Sequence, residues 1–378
     1  MTMNALVGGR ILEAGTWRDD QAVLMRGGDI MAIVSTHDVP QGAEVQKLDG
    51  GMLLPGFIDT QVNGGGGVLF NDEPTTSGIS AIAKAHRRFG TTAMLPTLIS
   101  DDLSVIIAAI KAVDEAIASG VPGIIGIHIE GPFLNPGKRG IHDAEKFRIL
   151  DLDAVSLLSS LKNGKTLVTL APELAPAGTI SALVERGVAV AAGHSLATYD
   201  KMQRAIDEGL TGVTHLFNAM TQLESRAPGV VGAALDSDLV CGLICDGHHV
   251  HPASLRAAYR AKGPNGLMLV TDAMPTVGSS IVAFNVGGVE ITAGDGMLRS
   301  VDGTLAGSDL DMASAVRNCV DMMQVDLAAA SQMASGTPAA FLGIDASYGR
   351  IAPGCRADIV HVDEQLKAQT VWIAGETA

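Results

Sequence analysis

The sequence predicts an α/β protein in which a (β/α)8 TIM barrel carries a small β-sandwich domain formed by both chain termini. Short aliphatic segments alternate with helical patterns through the middle of the chain, and eight such segments can be counted. Both ends of the chain instead show short strands broken by glycine pairs. The length of 378 residues fits a barrel of roughly 250 residues plus a smaller domain.

The two ends of the chain predict the sandwich. Near the N-terminus, ALVGGRIL and AVLMRGGDIMAIV are β-rich runs with Gly-Gly and Gly-Asp turns. The C-terminal run GRIAPGCRADIVHVDEQLKAQTVWIAGE has the same character. We therefore expect residues 1–52 and 345–378 to form one sandwich, with the barrel spanning residues 53–344.

The central alternation predicts a parallel sheet. Runs such as SVIIAAIKAVDEAIASG and YDKMQRAIDEGL place apolar residues at helical spacing between the aliphatic segments. Eight strands favour a closed barrel. A glycine-rich segment near Phe284–Arg299 predicts a hairpin after the eighth strand. The predicted barrel strands are Leu53–Ile58, Thr92–Pro96, Ile124–Ile129, Thr166–Ala171, Val188–Ala192, Gly212–His215, Val240–Cys245 and Leu267–Thr271.

Composition excludes several classes of function. The net charge of −15 argues against nucleic-acid binding, since affinity for phosphate backbones comes from Lys and Arg. No run reaches the roughly 18 uninterrupted apolar residues of a membrane span, and the first residues do not resemble a signal peptide. The cysteines, which lack metal-site spacing, are expected to be buried small side chains. We expect a cytoplasmic enzyme.

Four of the aliphatic segments are followed at once by a metal-competent or acidic residue: Glu130, His194, His215 and Asp272. Taken singly, each has an ordinary explanation as a turn or hydrogen-bonding loop residue. Their repetition at successive strand ends changes the interpretation, because a barrel gathers those ends on one rim. One carboxylate and two imidazoles match a catalytic metal site that leaves a position for water, and Asp272 could move that water's proton.

Loops beside these strands add further candidates. His142 follows the loop GPFLNPGKRGIHD and could reach over the site, whereas Lys138 and Arg139 look like solvated loop charges. Gln61 and Asn63 follow the first strand, and neutral amides are weak metal ligands. That pair favours one metal rather than two.

A histidine-rich loop and an arginine suggest an anion contact. The run ICDGHHVHPASL holds His248, His249 and His251, whose spacing suits one substrate contact and two loop histidines better than a metal cluster. Arg226 in LESRAPG is a candidate anion anchor, because a guanidinium grips phosphate with two hydrogen bonds.

The motifs together resemble one family, the N-acetylglucosamine-6-phosphate deacetylases of the amidohydrolase superfamily. The matching runs are PGFIDTQVNG, HIEGPFLN, GHSLAT, THLFNAM, RAPG, DGHHV, VTDAM and LAGSDL, which lie in family order between residues 55 and 310. The terminal β segments match as well, so the resemblance covers essentially the whole chain. His248 departs from the family pattern, which has an apolar residue there.

The resemblance implies hydrolysis of the acetamide of N-acetyl-D-glucosamine 6-phosphate to D-glucosamine 6-phosphate and acetate. It implies one divalent metal per subunit, with Zn²⁺ expected and Fe²⁺, Co²⁺ or Mn²⁺ left open. It also implies a homodimer in which Arg226 reaches the neighbouring active site. The implied roles are Glu130, His194 and His215 as metal ligands, Asp272 and His142 as catalytic residues, and Gln61, Asn63, Asn218, Ala219, Arg226, His249, Leu305, Ala306 and Gly307 as substrate contacts.

Two alternatives stay open at this point. A sister amidohydrolase could deacetylate another amino-sugar phosphate, such as N-acetylgalactosamine 6-phosphate, because epimers are told apart by a few loop contacts. A non-catalytic barrel could bind a sugar phosphate without turning it over. The joint presence of the ligand set and Asp272 argues against the second alternative, since a pure binder has no use for an activated water.

Overall fold

The computed structural model describes residues 2–378, and its first seven strands belong to the terminal domain. Four of them form one sheet in the order β5-β4-β1-β6, with antiparallel pairing except for the parallel β1–β6 pair. The seven strands are β1 Asn4–Val7, β2 Arg10–Glu13, β3 Thr16–Arg18, β4 Gln21–Arg26, β5 Asp29–Ser35, β6 Glu44–Lys47 and β7 Met52–Pro55.

Eight parallel strands then form the predicted barrel sheet. Every neighbouring pair from the first to the last of these strands is parallel. A short hairpin, β9 Gly64–Gly65 and β10 Val68–Leu69, follows the first of them. The barrel strands are β8 Phe57–Val62, β11 Thr91–Ile99, β12 Gly126–Glu130, β13 Lys165–Leu170, β14 Ala189–Ala192, β15 Gly212–Val213, β16 Val240–Ile244 and β17 Leu267–Val270.

The first barrel strand differs from the prediction. One strand was expected over Leu53–Ile58, but the structure has two, because β7 pairs with strands of the terminal sheet while β8 starts the barrel at Phe57. Both strands are fully buried, so the sequence run MLLPGFIDTQV shows no change in hydropathy at the break. Continuous burial of this kind is typical of strands covered on both faces.

Helices cover the outside of the barrel. Several begin at a side-chain cap, such as Thr75 and Asp311, each of which accepts a backbone N–H of the first turn. No helix within residues 2–378 combines the length and the apolar character needed to cross a membrane. The helices are α1 Thr76–Arg87, α2 Leu103–Ala118, α3 Leu152–Leu158, α4 Thr179–Val184, α5 Tyr199–Asp207, α6 Gly229–Asp236, α7 Pro252–Lys262, α8 Met312–Met323, α9 Leu327–Ser331 and α10 Thr337–Phe341, with a π-helical turn at Gln332–Gly336 and 3₁₀ turns at Thr36–Asp38, Pro136–Lys138 and Ala144–Lys146.

The segment after β17 is a three-stranded antiparallel sheet rather than a two-stranded hairpin. Its strands are β18 Ala283–Val286, β19 Val289–Gly294 and β20 Met297–Ser300. Buried side chains of this small sheet share an apolar cluster with Ile99 and Met274 of the barrel rim. The insertion is therefore packed onto the rim.

The C-terminal strands return to the first domain and confirm the predicted sandwich. β21 Ile359–Val362, β22 Ala368–Ile373 and β23 Glu376–Thr377 complete a six-stranded sheet in the order β23-β22-β21-β7-β2-β3. Leu6 and Val23 of the four-stranded sheet share one buried cluster with Trp372 of the six-stranded sheet. The two ends of the chain thus bury one core between two sheets.

Candidate active site

Four predicted site residues lie together at the C-terminal ends of barrel strands. Glu130 is the last residue of β12, and His194, His215 and Asp272 each lie two positions beyond a barrel strand. The backbone of these last three residues is left-handed, with φ values of 49°, 31° and 53°. Such conformations cost about 1–3 kcal/mol each, persist only where the surrounding structure enforces them, and cluster at functional sites.

The glycine in the GH motif has a packing reason. A Cβ on Gly193 would lie 2.6 Å from Cγ2 of Thr169, closer than real contacts allow. The chain can therefore pass close to β13 and turn His194 inward only if the preceding residue has no side chain.

Glu130, His194 and His215 converge on one point. The two imidazole Nε2 atoms are 3.1 Å apart, and Oε1 of Glu130 lies 3.1 Å from His194 and 3.0 Å from His215. All three side chains are buried. Within residues 2–378, this trio is the group of His, Cys, Asp and Glu side chains placed to hold a metal ion.

The protonation states of Glu130 and His194 fit a divalent cation. Nδ1 of His194 lies 2.7 Å from the carbonyl oxygen of Lys138, which can only accept, so Nδ1 carries the proton and Nε2 offers its lone pair to the centre. Burial acts to raise the pKa of Glu130, but the close contacts of its carboxylate with the imidazoles of His194 and His215 outweigh it and hold that pKa well below its usual range. An anionic oxygen and imidazole nitrogens facing one point are the donor set of a catalytic zinc-type site.

Asp272 faces this trio across the rim. Two amides, Nδ2 of Asn63 at 2.6 Å and Nε2 of Gln61 at 3.1 Å, donate to its Oδ1, and the same Gln61 nitrogen lies 3.1 Å from Oε2 of Glu130. Burial, with the nearby charge of Glu130, raises the pKa of Asp272 to about 6. The amides thus fix the carboxylate while Oδ2 receives neither of these bonds.

His142 is a neutral hydrogen-bond donor. The backbone N–H of Ser100 donates to its Nδ1 at 3.3 Å, and the Ser100 hydroxyl lies 2.8 Å from the same atom. Because a backbone N–H can only donate, Nδ1 accepts and Nε2 carries the proton. Burial lowers the pKa of His142 to about 3, so the ring stays neutral. Its centroid lies 4.4 Å from that of His194.

These groups open into a cavity of about 550 Å³. Its lining includes the predicted residues Asn63, Glu130, His142, His194, His215, Asn218, Ala219, His249, Asp272, Leu305 and Gly307. It also includes Lys138 and Arg139, which the sequence suggested were solvated loop charges.

Three predicted substrate contacts lie outside the cavity lining. Gln61 lies behind Asp272 and Glu130, as its hydrogen bonds show. Ala306 has no exposed surface and belongs to the same buried apolar cluster as Met274. Arg226 is an exposed residue of a surface segment, and its reach into a second subunit stays a prediction.

The three imidazoles of the histidine-rich loop lie in different surroundings. Nδ1 of His249 lies 2.6 Å from Oδ2 of Asp246, which directs the opposite edge of the ring to the cavity. His251 caps helix α7 through its Nδ1, and His248 is exposed. One histidine of this loop therefore faces the cavity, and its contact with a substrate stays a prediction.

Sequence reasoning missed two residues that orient the site. Ser100 sets the tautomer of His142, and Asp246 orients His249. Both follow barrel strands, β11 and β16, within two positions. The pattern that identified Glu130, a polar residue at the end of an aliphatic run, is present at these two strands too. A serine is not a typical metal ligand, and Asp246 lies beside a run of histidines that are stronger candidates.

Comparisons with known proteins identify the family of this chain. The amidohydrolase family model matches residues 52–378. An N-acetylgalactosamine-6-phosphate deacetylase of Shewanella sp. (strain ANA-3) is 45% identical, covering 98% of this chain and 94% of its own. An N-acetylglucosamine-6-phosphate deacetylase of Homo sapiens is 36% identical, covering 98% of this chain and 93% of its own.

A solved structure agrees over the whole fold. The crystal structure of N-acetylglucosamine-6-phosphate deacetylase from Pasteurella multocida is 34% identical and superimposes with a TM-score of 0.97, covering 100% of this chain and 99% of that one. The chain therefore belongs to the amidohydrolase family, in the group formed by the N-acetylglucosamine-6-phosphate and N-acetylgalactosamine-6-phosphate deacetylases.

Proposed function

We propose that this enzyme hydrolyses the acetamide of N-acetyl-D-glucosamine 6-phosphate to D-glucosamine 6-phosphate and acetate. The proposal rests on one observation: a single cavity is lined by the buried Glu-His-His trio, by the Asp272 carboxylate and by the neutral imidazole of His142. Amide hydrolysis needs an activated water, a proton carrier and a donor to the carbonyl oxygen, and these groups can supply all three.

Glu130, His194 and His215 would hold one divalent ion. Such an ion supplies Lewis acidity and lowers the pKa of a water molecule. Zn²⁺ suits two imidazoles and one carboxylate, and three protein ligands leave a position open. The neutral amides Gln61 and Asn63 donate to Asp272, which supports a single-ion site.

Asp272 is proposed as the proton carrier. Its Oδ2 would take a proton from water as the water oxygen bonds to the acetamide carbon. It would then give that proton to the amine nitrogen as the C–N bond breaks. A carboxyl whose pKa lies at about 6 can serve in both directions near neutral pH.

His142 is proposed as the donor to the carbonyl oxygen. Its Nε2–H can hydrogen-bond to that oxygen as negative charge develops, a contribution worth about 3 kcal/mol for a well-placed donor. The low pKa of His142 means that it donates without becoming charged. Ser100 maintains the required tautomer.

The phosphate would bind to groups of the cavity lining outside the metal trio. His249, oriented by Asp246, belongs to this lining, as do Asn218, Ala219 and the cations Lys138 and Arg139. Arg226 is proposed to complete this contact from the neighbouring subunit of a homodimer. A cytoplasmic location belongs to the same proposal, and the unpaired, buried cysteines are consistent with it.

N-acetyl-D-galactosamine 6-phosphate is a second candidate substrate. The observation that favours it is the 45% identity to the Shewanella enzyme of that name, against 36% for the human N-acetylglucosamine-6-phosphate deacetylase. The two sugars differ in the orientation of one hydroxyl, at C4, so the same reaction machinery serves both.

The decisive experiment measures acetate release from both sugar phosphates and from unphosphorylated N-acetylglucosamine. Metal-stripped protein is titrated with Zn²⁺, and kcat/KM is compared between the epimers. Metal-dependent activity on the phosphorylated sugars alone, saturating near one ion per chain, supports the proposal. A higher kcat/KM for the galactosamine epimer would assign the second candidate instead, and activity on neither would reject both.

A further inference from the structure

The barrel closes at a seam between its first and last strands. The sheet runs from β17 to β8, and across the closing gap a single bridge, Val62 to Ala273, joins the two strand ends. Backbone bonds from Asp272 N to Gln61 O and from Asn63 N to Ala273 O, each 2.9 Å, span the same gap. Both amides that hold the Asp272 carboxylate therefore come from the other side of the seam.

A buried carboxylate lies in this seam. Oδ1 of Asp59 accepts from the backbone N–H of Gln61 at 3.1 Å and of Thr271 at 3.3 Å. Its Oδ2 accepts from the Thr271 hydroxyl at 2.5 Å. The Asp59 side chain thus links Thr271, the residue before Asp272, to Gln61, whose side-chain amide donates to Asp272.

Asp59 has no counter-charge among these partners. It is fully buried, its hydrogen bonds come from neutral groups, and the charge acting on it is that of Asp272, which repels it. A buried carboxylate held only by neutral donors is unfavourable compared with an apolar side chain. Its presence at this position therefore indicates a role other than packing.

The backbone at Asp272 needs such a support. Its left-handed φ of 53° must be enforced from both sides. On one side its carbonyl accepts from Ser308 N at 2.9 Å, and the Ser308 hydroxyl donates to Thr271 O at 2.5 Å. On the other side Asp59 accepts from the backbone N–H and the hydroxyl of Thr271, the residue before Asp272.

We infer that Asp59 is a positioning residue for the hydrolysis. Acting through Thr271 and Gln61, it fixes the distance between the Asp272 carboxylate and the Glu130–His194–His215 trio, although it touches neither substrate nor metal ligands. The inference rests on the proposed function, because it assigns Asp59 a part in placing the proton carrier of that reaction.

Asp59→Ala and Asp59→Asn test the inference as a pair. Asp59→Ala leaves the backbone N–H groups of Gln61 and Thr271 without an acceptor and removes the short bond of the Thr271 hydroxyl. We therefore expect kcat to fall about 100-fold, the size of loss that a displacement of about 1 Å can cause. The KM and the bound metal per chain should stay near wild type. Asp59→Asn should keep kcat within about fivefold, because Oδ1 still accepts and the Thr271 hydroxyl can donate to Gln61 O, 3.3 Å away.

Thr271→Val and Thr271→Ser repeat the test from the other side of the seam, should Asp59→Ala fold poorly. The valine variant should follow Asp59→Ala and the serine variant should follow wild type. Thr337→Val is the matched control, since it also removes a buried hydroxyl bond, to Pro264 O at 2.7 Å, but lies outside the site. Its melting temperature should fall while kcat stays unchanged.

The outcomes separate the inference from the proposed function. Wild-type kcat in both Asp59→Ala and Thr271→Val would overturn the inference, as would a kcat loss that parallels loss of bound metal or appears equally in Thr337→Val. If the wild-type protein releases no acetate from either sugar phosphate, the proposed function fails first and the inference fails with it.

Discussion

The two sides of the cavity are built differently. The trio Glu130, His194 and His215 is buried, mutually in contact and supplied entirely by strand ends of one chain. The groups that we propose for the phosphate include one oriented imidazole, His249, and the loop cations Lys138 and Arg139 of the cavity lining. In our proposal, the barrel strands themselves organise bond cleavage, whereas anion binding draws on surface loops and on a second subunit. Changes on the metal side should therefore act on kcat, and changes on the phosphate side on KM.

Removal of the metal should have the largest effect. Dialysis against a chelator should reduce acetate release to background, and about one equivalent of Zn²⁺ per chain should restore it, since a single open-site ion is expected. Glu130→Gln should lose bound metal and activity together, as measured by elemental analysis and turnover. Full activity in a chelated sample would contradict the proposed role of the metal trio in bond cleavage.

Asp272→Asn should come next, with kcat lower by on the order of 10³. The amide keeps the shape of the carboxylate but cannot carry the proton, so KM and metal content should stay near wild type. Steady-state kinetics with metal analysis on the same sample is the measurement. If turnover persisted, another group would have to carry the proton.

Arg226→Ala should act on the other side of the cavity. A charge-assisted hydrogen bond to phosphate is worth about 1.5–3 kcal/mol, so KM for the phosphorylated sugar should rise roughly 10- to 100-fold with little change in kcat. The matched control is Arg260→Ala, which removes an exposed cation of helix α7 outside the cavity lining and should leave KM unchanged. Mixing Arg226→Ala with Asp272→Asn subunits should restore part of the activity if the arginine acts across a dimer.

The smallest expected effect concerns the seam beneath the metal side. Burial raises the pKa of Asp59 from 3.8 to about 7, so the folded protein binds this proton more tightly than the unfolded chain. Stability from this group is therefore full below pH 4 and is lost as pH rises through about 7, by at most about 1.4 kcal/mol per pH unit. Asp59→Asn lacks this titration.

The melting temperature of Asp59→Asn relative to wild type should consequently be more favourable at pH 8 than at pH 5. Thermal unfolding at the two pH values measures the difference, with Thr337→Val as the control whose difference should not change with pH. A constant difference for Asp59→Asn would show that Asp59 keeps the same charge state across that range.

Much of the site could be predicted because the sequence pattern shows where the barrel strands end. Glu130, His194, His215 and Asp272 each follow an aliphatic run, and the barrel topology alone brings such positions together. The sandwich was equally accessible, since both termini show the same strand-and-glycine pattern.

The rest depends on contacts between distant residues. The tautomer of His142 is set by Ser100, and the position of Asp272 by groups from the first barrel strand. Nothing in the local sequence at Lys138 shows that its carbonyl holds His194. The break between β7 and β8 was also hidden, because both strands are equally apolar and buried.

The sharing of one sheet between the two ends of the chain has a consequence for biosynthesis. β7 pairs with β21, more than three hundred positions later in the chain, and only one residue separates β7 from the first barrel strand. While the polypeptide is being synthesised, the edge of β7 that pairs with β21 therefore stays unpaired until the barrel residues have been made. Exposed apolar edges recruit other chains. A ribosome stalled near the end of the message should thus release a product that aggregates, even though its barrel residues are all present.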